Sequence, residues 1–320
     1  MTRPALAITL GDPRGIGPEI VRTALATPEV AGAARFVVVG PEGAGVSVDE
    51  AVGRWDGGTG ESGTDAAGRA RDAGAGRLAG LAVERAVALA RAGTVQGIVT
   101  APIDKAALHA GGYPDPGHTE LLERLTGAPT TMMLASDRLR VVLATTHLAL
   151  REVPAAVTEA ALVRAIRATR EGLHAWFGIE APRLVLCAMN PHAGDQGRFG
   201  VEDDALLAPV ARAEGIAGPL PADTVFVRAL RGEFDAVIAP YHDVGMTAIK
   251  VASFGEAVNV TLGLPFPRTS PDHGTALDIA GQGIASATSM VAAIQLALAI
   301  SRRAARSTAT GSAGLPSTGR

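Results

Sequence analysis

The chain has 320 residues, 47% of them hydrophobic and 19% charged, with a formal net charge of −3. That length exceeds what one core ordinarily organises, so two domains are expected; the near-neutral balance and only 3% aromatic residues exclude a nucleic-acid binder, which needs a basic surface or stacking platforms. No stretch approaches the roughly 20 apolar residues of a membrane span, and residues 1–10 are too short in their apolar part for a secretory leader.

In chain order, residues 5–10 form a first strand, followed by Gly11-Asp-Pro-Arg-Gly-Ile-Gly-Pro-Glu19, where Pro18 and Glu19 open a helix. The glycine spacing is not that of a dinucleotide fingerprint. A second strand spans 35–39. Residues 40–76 carry many Gly, Ala, Asp and Ser with little periodicity and read as an irregular surface segment. An amphipathic helix follows over 77–92, closed by Gly93, then a strand over 96–102 and a short helix from Asp104 and Lys105. Pro116-Gly-His-Thr-Glu120 marks another helix start, where Thr119 serves either as N-cap or as part of a phosphate-binding helix mouth. A long helix covers 158–177, and a final apolar helix 286–305 precedes a tail, 307–320, expected to be disordered. Strand and helix alternate throughout, the pattern of an α/β sheet protein. Its single cysteine, Cys187, lies in an apolar strand, cannot pair within the chain, and reads as a buried structural thiol in a reducing cytoplasm.

Three apolar strands each deliver a histidine at their carboxyl end: His147 after 140–146, His192 after 184–191 and His242 after 236–239. Ligands of open α/β sheets bind at strand ends, and imidazole is the commonest transition-metal ligand. Any one of these could be a loop residue held by hydrogen bonds; three of the chain's seven histidines in one kind of position point to a metal site with an open coordination position. Lys250, Asn259 and Arg268 lie downstream. Arg suits bidentate recognition of phosphate or carboxylate, and Lys supplies a point charge or a base.

The motifs Gly11-Asp-Pro-x-Gly-Ile-Gly-Pro-Glu, Pro116-Gly-His-Thr-Glu, Ala144-Thr-Thr-His-Leu, Asn190-Pro-His-Ala-Gly, Gly218-Pro-Leu-Pro-Ala-Asp-Thr, Tyr241-His-Asp-x-Gly and Asn259-Val-Thr-Leu-Gly-Leu-Pro-x-x-Arg-Thr-Ser-x-Asp-His-Gly-Thr-Ala together resemble the 4-hydroxythreonine-4-phosphate dehydrogenase (PdxA) family of vitamin B6 biosynthesis. The resemblance implies an α/β fold like that of isocitrate and isopropylmalate dehydrogenases. Two α/β/α domains flank a cleft, one from residues 1–128 with 265–306 on the cofactor side, the other from 129–264. It further implies a cytoplasmic homodimer that oxidises 4-phosphooxy-L-threonine with NAD or NADP and one divalent metal (Zn, Mg or Co), then decarboxylates the product to 3-amino-2-oxopropyl phosphate. In that pattern His147, His192 and His242 match the metal ligands, drawn from both subunits. His118, Thr119, Lys250, Asn259 and Arg268 match the substrate-binding positions, and His273, Gly274 and Asp278 lie near the nicotinamide cofactor. Either Lys250 or Asp243 would take the hydroxyl proton. Two departures touch the substrate: Val244 stands where the family usually has Gln, and Thr247 where it usually has Pro. They leave open a dehydrogenase of threonate or erythronate 4-phosphate. A phosphate acyltransferase of related fold is the alternative of another class, one that has no need of the histidine trio.

Overall fold

The structure is a computed structural model that describes residues 3–253 and 256–311, with side chains described up to Arg303. Its first half runs β1 (Ala5–Thr9), α1 (Gly17–Ala26), β2 (Arg35–Glu42), β3 (Glu50–Arg54), α2 (Ala66–Arg91), β4 (Ile98–Thr100), α3 (Lys105–Ala110) and α4 (His118–Thr126). The second continues with β5 (Thr131–Ala135), β6 (Arg140–Leu143), α5 (Val153–Ala156), α6 (Glu159–Ala175), β7 (Leu184–Cys187), α7 (Ala208–Ala213), β8 (Ala217–Leu220), α8 (Ala222–Leu230), β9 (Ala236–Ala239) and α9 (His242–Ser253). The last elements are β10 (Val258–Leu262), β11 (Arg268–Pro271) and α10 (Thr288–Gly311).

All described strands join one eleven-stranded sheet in the order β3-β2-β1-β4-β11-β10-β5-β6-β9-β7-β8. Strands β1 to β4 and β11 occupy one half of it and β5 to β10 the other. The antiparallel pair β10 and β11 joins the halves, through Val258↔Pro271, Asn259↔Ser270 and Val260↔Thr269. Parallel strands need both faces covered, which is why β1, β7 and β9 are buried along their whole length. The period of two is visible in β1. Leu6, Ile8 and Leu10 pack with α1 and α10, while Ala5 and Ala7 face α2, and their small size lets that helix approach.

Helix α2 is a correction to the sequence reading. The segment 40–76, taken as irregular, holds the end of β2, all of β3 and the first turns of a helix that starts at Ala66, capped by Asp65 through the Gly68 N–H at 2.8 Å. Its glycines obscured the pattern because they serve packing. A Cβ on Gly76 would stand 1.8 Å from the Ala107 carbonyl oxygen of α3, and one on Gly80 2.1 Å from the Tyr113 ring. Two more corrections follow. Helix α10 continues to Gly311, into the segment expected to be disordered, whose remainder, 312–320, lies outside the described residues. Strands β5 and β11 and the short β8 were not anticipated.

An alanine normally stabilises a helix interior by roughly 0.5–1 kcal/mol over glycine. Gly76→Ala and Gly80→Ala should instead lower the unfolding free energy by about 1–3 kcal/mol. Gly74→Ala, whose Cβ would meet nothing closer than 3.8 Å, should show the ordinary gain. Urea melts of the three variants check this, and three equal gains would show that α2 does not pack so closely.

Candidate active site

The strand ends and the β10–β11 junction open onto one cleft of about 520 Å³. Alternation along β10 and β5 builds its floor: Asn259 and Thr261 share a face and pair with Leu134 and Met132. Arg268, the first residue of β11, reaches across that floor. Its Nε and Nη2 donate to Thr100 Oγ1 at 3.1 and 2.5 Å, and its Nη1 donates to Thr261 Oγ1 at 3.0 Å.

Arg268 is 1% exposed, and no carboxylate pairs with it among the described residues. Burial alone pushes its pKa down to about 9. A guanidinium carries five donors, of which hydroxyls take three. Two neighbouring groups are equally unfinished: His118 Nε2 and Asn259 Oδ1 are buried and lack a hydrogen-bond partner. Burial, then the charge of Arg268, holds His118 well below the usual imidazole range. Helix α4 starts here. Its N-cap is Gly117, which has no side chain to offer, so the N–H groups of the first turn stay open. Thr119 is therefore not the cap; it lines the cleft within that first turn. A desolvated cation, two orphaned polar atoms and an uncapped helix start converge on one small space, which suits a phosphate.

The imidazole pair stands on another wall. His147 and His242 have ring centroids 5.4 Å apart at 44°. Burial, then the charges of Lys105 and His242, lowers the pKa of His147, which keeps it neutral and able to ligate. His242 Nδ1–H donates to Asp243 Oδ1 at 2.8 Å, which fixes the tautomer and leaves Nε2 as the free ligating nitrogen. His192 is not brought to them. It sits exposed on the loop after β7, with its ring 6.2 Å from Phe199, and no group of three His, Cys, Asp or Glu able to hold a metal exists among the described residues of one chain. Two imidazoles with free ligating nitrogens fit a divalent ion but do not complete its shell.

Lys250, His273 and Gly274 line the cleft too, whereas Asp243, with its side chain 81% exposed, and Asp278 do not. Lys250 Nζ lies 3.9 Å from Asp272 Oδ2, a carboxylate only 9% exposed. The loop carrying His273 and Gly274 rests on the first glycine-rich turn, where the Ile16 N–H donates to the Thr275 carbonyl at 2.9 Å. A Cβ at Gly15 would stand 2.8 Å from that same oxygen. Sequence reasoning missed Thr100, Lys105, Glu120 and Asp272. Asp272 and Glu120 were within reach, since they adjoin His273 and Thr119 in quoted motifs; Thr100 carried no signal of its own. Cys187 is fully buried and its thiol is pushed up to about 12 by burial, so it is no nucleophile.

The fold with its cleft is that of an α/β dehydrogenase. It aligns with the solved 4-hydroxythreonine-4-phosphate dehydrogenase of Klebsiella pneumoniae at a TM-score of 0.80 and 37% identity, over 94% of this chain and 98% of that one. A terephthalate 1,2-cis-dihydrodiol dehydrogenase of Burkholderia xenovorans follows at a TM-score of 0.61 and 28% identity, over 92% and 98%. Residues 59–297 match the family described as pyridoxal phosphate biosynthetic protein PdxA. A 4-hydroxythreonine-4-phosphate dehydrogenase of Geobacter metallireducens is 43% identical over 330 residues, 94% of this chain and 96% of that protein. The chain belongs to the PdxA family, and with it to the oxidoreductases of vitamin B6 biosynthesis.

His118 supplies a stability test. Folded, its pKa is well below 6.5; unfolded, it is ordinary. Below about pH 6.5 the unfolded chain thus binds a proton that the folded chain does not, and stability falls as pH falls, by at most about 1.4 kcal/mol per pH unit for this group. In urea melts at pH 7.5, 6 and 5, His118→Gln should lose less stability than the wild type. Identical slopes would mean that His118 is not held neutral.

Proposed function

We propose that this chain oxidises 4-phosphooxy-L-threonine with NAD or NADP and decarboxylates the product to 3-amino-2-oxopropyl phosphate, in the synthesis of pyridoxal phosphate. The single observation that carries this reading is Arg268, a fully buried guanidinium without a counter-charge at the floor of the cleft. A phosphate held by Arg268, His118, Thr119 and Asn259 supplies the missing anion and stretches the substrate toward the imidazole pair, beside Lys250.

His147 and His242 would hold a divalent ion, and His192 would complete its shell from the second subunit of a homodimer. In support, His192 faces outward, and the segments carrying His147 and His192 expose Leu148 (44%), Leu150 (69%), Phe199 (49%) and Val201 (62%). A bound cation withdraws electron density from the reacting alcohol and from the ketone that replaces it. Lys250 takes the hydroxyl proton, since it lines the cleft while Asp243 is engaged with His242 outside it. The loop of His273, Gly274 and Asp278 would hold a nicotinamide, which would supply the acceptor for the hydride from the same carbon. The product is a β-keto acid; its C–C bond to the carboxylate breaks, the electron pair enters the ketone, and CO2 departs. We read the two halves of the sheet as the two domains that flank this cleft. No described helix is long and apolar enough to cross a membrane, and we take the compartment to be the cytoplasm.

A second reading rests on Thr247, a cleft-lining hydroxyl where the family usually has Pro. It would serve a sugar-acid phosphate, with a hydroxyl where the amino acid has its amine.

Reduction of NAD+ and NADP+ in the presence of 4-phosphooxy-threonine or threonate 4-phosphate, with and without chelator, decides between them. Chelator-sensitive turnover of the amino acid is expected; turnover of the sugar acid alone would move the protein to the second reading, and turnover of neither would overturn both. His147→Ala and His242→Ala should each lower kcat by at least about 100-fold. Arg268→Met should leave the ligand-free protein as stable as the wild type or more so, while abolishing the thermal shift with inorganic phosphate, which in the wild type corresponds to about 2.7 kcal/mol at 100 times Kd. An undiminished phosphate shift would remove Arg268 from the site.

A further inference from the structure

Two carboxylates line the cleft among the described residues, Glu120 and Asp272. The proposed substrate brings a phosphate and a carboxylate of its own, and a negative wall repels such a ligand unless it serves something positive on it. The substrate has one positive group, its ammonium. Along the carbon skeleton the phosphate sits at one end, the reacting hydroxyl on the next carbon and the ammonium on the carbon beyond that.

Asp272 is the carboxylate placed to meet it. Strand β11 starts at Arg268 and ends at Pro271, and its period of two brings Arg268, Ser270 and then Asp272 to the cleft. The strand thus leads from a buried cation to a carboxylate, in the order in which the substrate leads from phosphate to ammonium. The Asp272 side chain is 9% exposed, and among the described residues no N–H or O–H donates to it. Its cationic neighbour, Lys250 Nζ at 3.9 Å, lies beyond hydrogen-bond length. A carboxylate held so far from water without donors is costly, and an ammonium in the cleft supplies them.

Lys250 marks where the reacting alcohol lies, since it takes the hydroxyl proton in the mechanism above. A carboxylate 3.9 Å from that nitrogen is within reach of the substituent on the neighbouring carbon. Thr247, three residues before Lys250 on α9, lines the cleft as well and brings a hydroxyl to the same face of the helix. Glu120 stands elsewhere. It belongs to the first turn of α4, and its Oε2 lies 3.5 Å from where a Cβ of Gly117 would stand, at the helix start assigned to the phosphate.

We infer that Asp272 binds the substrate's ammonium and so selects an amino acid over the sugar acid that carries a hydroxyl in its place. Resting on the substrate and the proton acceptor proposed above, this gives the amine a partner in the cleft. An ammonium held there is also a second cation beside Lys250, which favours the neutral amine that a base must be.

Selectivity measured on the full-length protein tests this. Asp272→Asn keeps the shape of the side chain and removes its charge. It should lower the ratio of kcat/KM for 4-phosphooxy-threonine to that for threonate 4-phosphate about 10- to 100-fold, the worth of one charged hydrogen bond. Glu120→Gln should move that ratio by less than about 3-fold. Equal losses on both substrates would make Asp272 a partner of Lys250 alone and overturn the inference, as would a ratio that follows Glu120. Calorimetry without nicotinamide cofactor puts the question to the wild type, with no variant to fold. There 4-phosphooxy-threonine should bind about 10- to 100-fold tighter than its deamino analogue, which has hydrogen in place of the ammonium, a preference that Asp272→Asn should abolish. Should the wild type oxidise neither phosphate, the substrate reading fails separately. The binding comparison then still decides: a preference for the ammonium that is lost in Asp272→Asn supports the inference, and equal affinities, or no binding of either compound, overturn it.

Discussion

A charge buried without its counter-charge is the constraint on which the cleft depends. Two arginines are buried among the described residues, and their surroundings differ. Arg14, 3% exposed, is disfavoured by burial, but Asp12, Asp72 and Asp104 more than offset this and hold its pKa above the ordinary value. That guanidinium is a structural tie between the first glycine-rich turn, α2 and the start of α3. Arg268, 1% exposed, donates only to hydroxyl oxygens among the described residues. Desolvating an ion is expensive, and hydroxyl dipoles return only part of what is lost. The anion proposed above would supply the rest, and the floor would then be held ready for it at the expense of the protein's own stability, a frequent compromise at functional sites.

The sheet explains how so many groups reach that floor. Between Asn259 and Gly274 the chain forms β10, turns and returns as β11, the antiparallel junction of the two halves. That one stretch supplies Asn259, Arg268, Ser270, Asp272, His273 and Gly274 to the cleft. The first glycine-rich turn supports its end from behind, where the Ile16 N–H donates to the Thr275 carbonyl. Gly15 has to be glycine because the Thr275 carbonyl occupies the space of a side chain. The turn whose glycine spacing is not that of a dinucleotide fingerprint therefore acts by placing the neighbouring loop.

Much of this could be seen in the residues alone. The strand-end histidines, the helix start at His118 and the strip from Asn259 to Gly274 were visible because strand periodicity and Gly-Pro punctuation are local signals. What stayed hidden depends on contacts distant in sequence. Thr100 matters only because β4 lies beside β11, and nothing near residue 100 announces that pairing. Helix α2 was obscured because Gly68, Gly76 and Gly80 lower helix propensity locally, and the packing that repays them involves residues about 30 positions away or within the preceding turn. Asp243 followed a metal-like histidine and invited a role as base; only the side-chain geometry shows that it accepts from His242 Nδ1.

The histidine that stands apart from the cleft is the most informative disagreement between a one-chain view and a metal site. From His192 to Gly197 the backbone φ is positive at every residue: 54°, 55°, 84°, 44°, 58° and 86°. Four of these residues are not glycine, and each loses on the order of 1–2 kcal/mol in that conformation. The clamp that imposes it is specific: the buried Asp203 accepts from the N–H groups of Met189 and Asn190 at 2.8 and 3.0 Å, and Asn190 Nδ2 donates to both Asp203 and Glu202 at 2.9 Å. A loop free to relax would not keep four strained residues, the exposed histidine among them. Under the proposed dimer the strain has a use. It holds His192 on the outer surface in one fixed direction, where a second subunit meets it, so that a pair of imidazoles incomplete in one chain is completed by an interface both chains share.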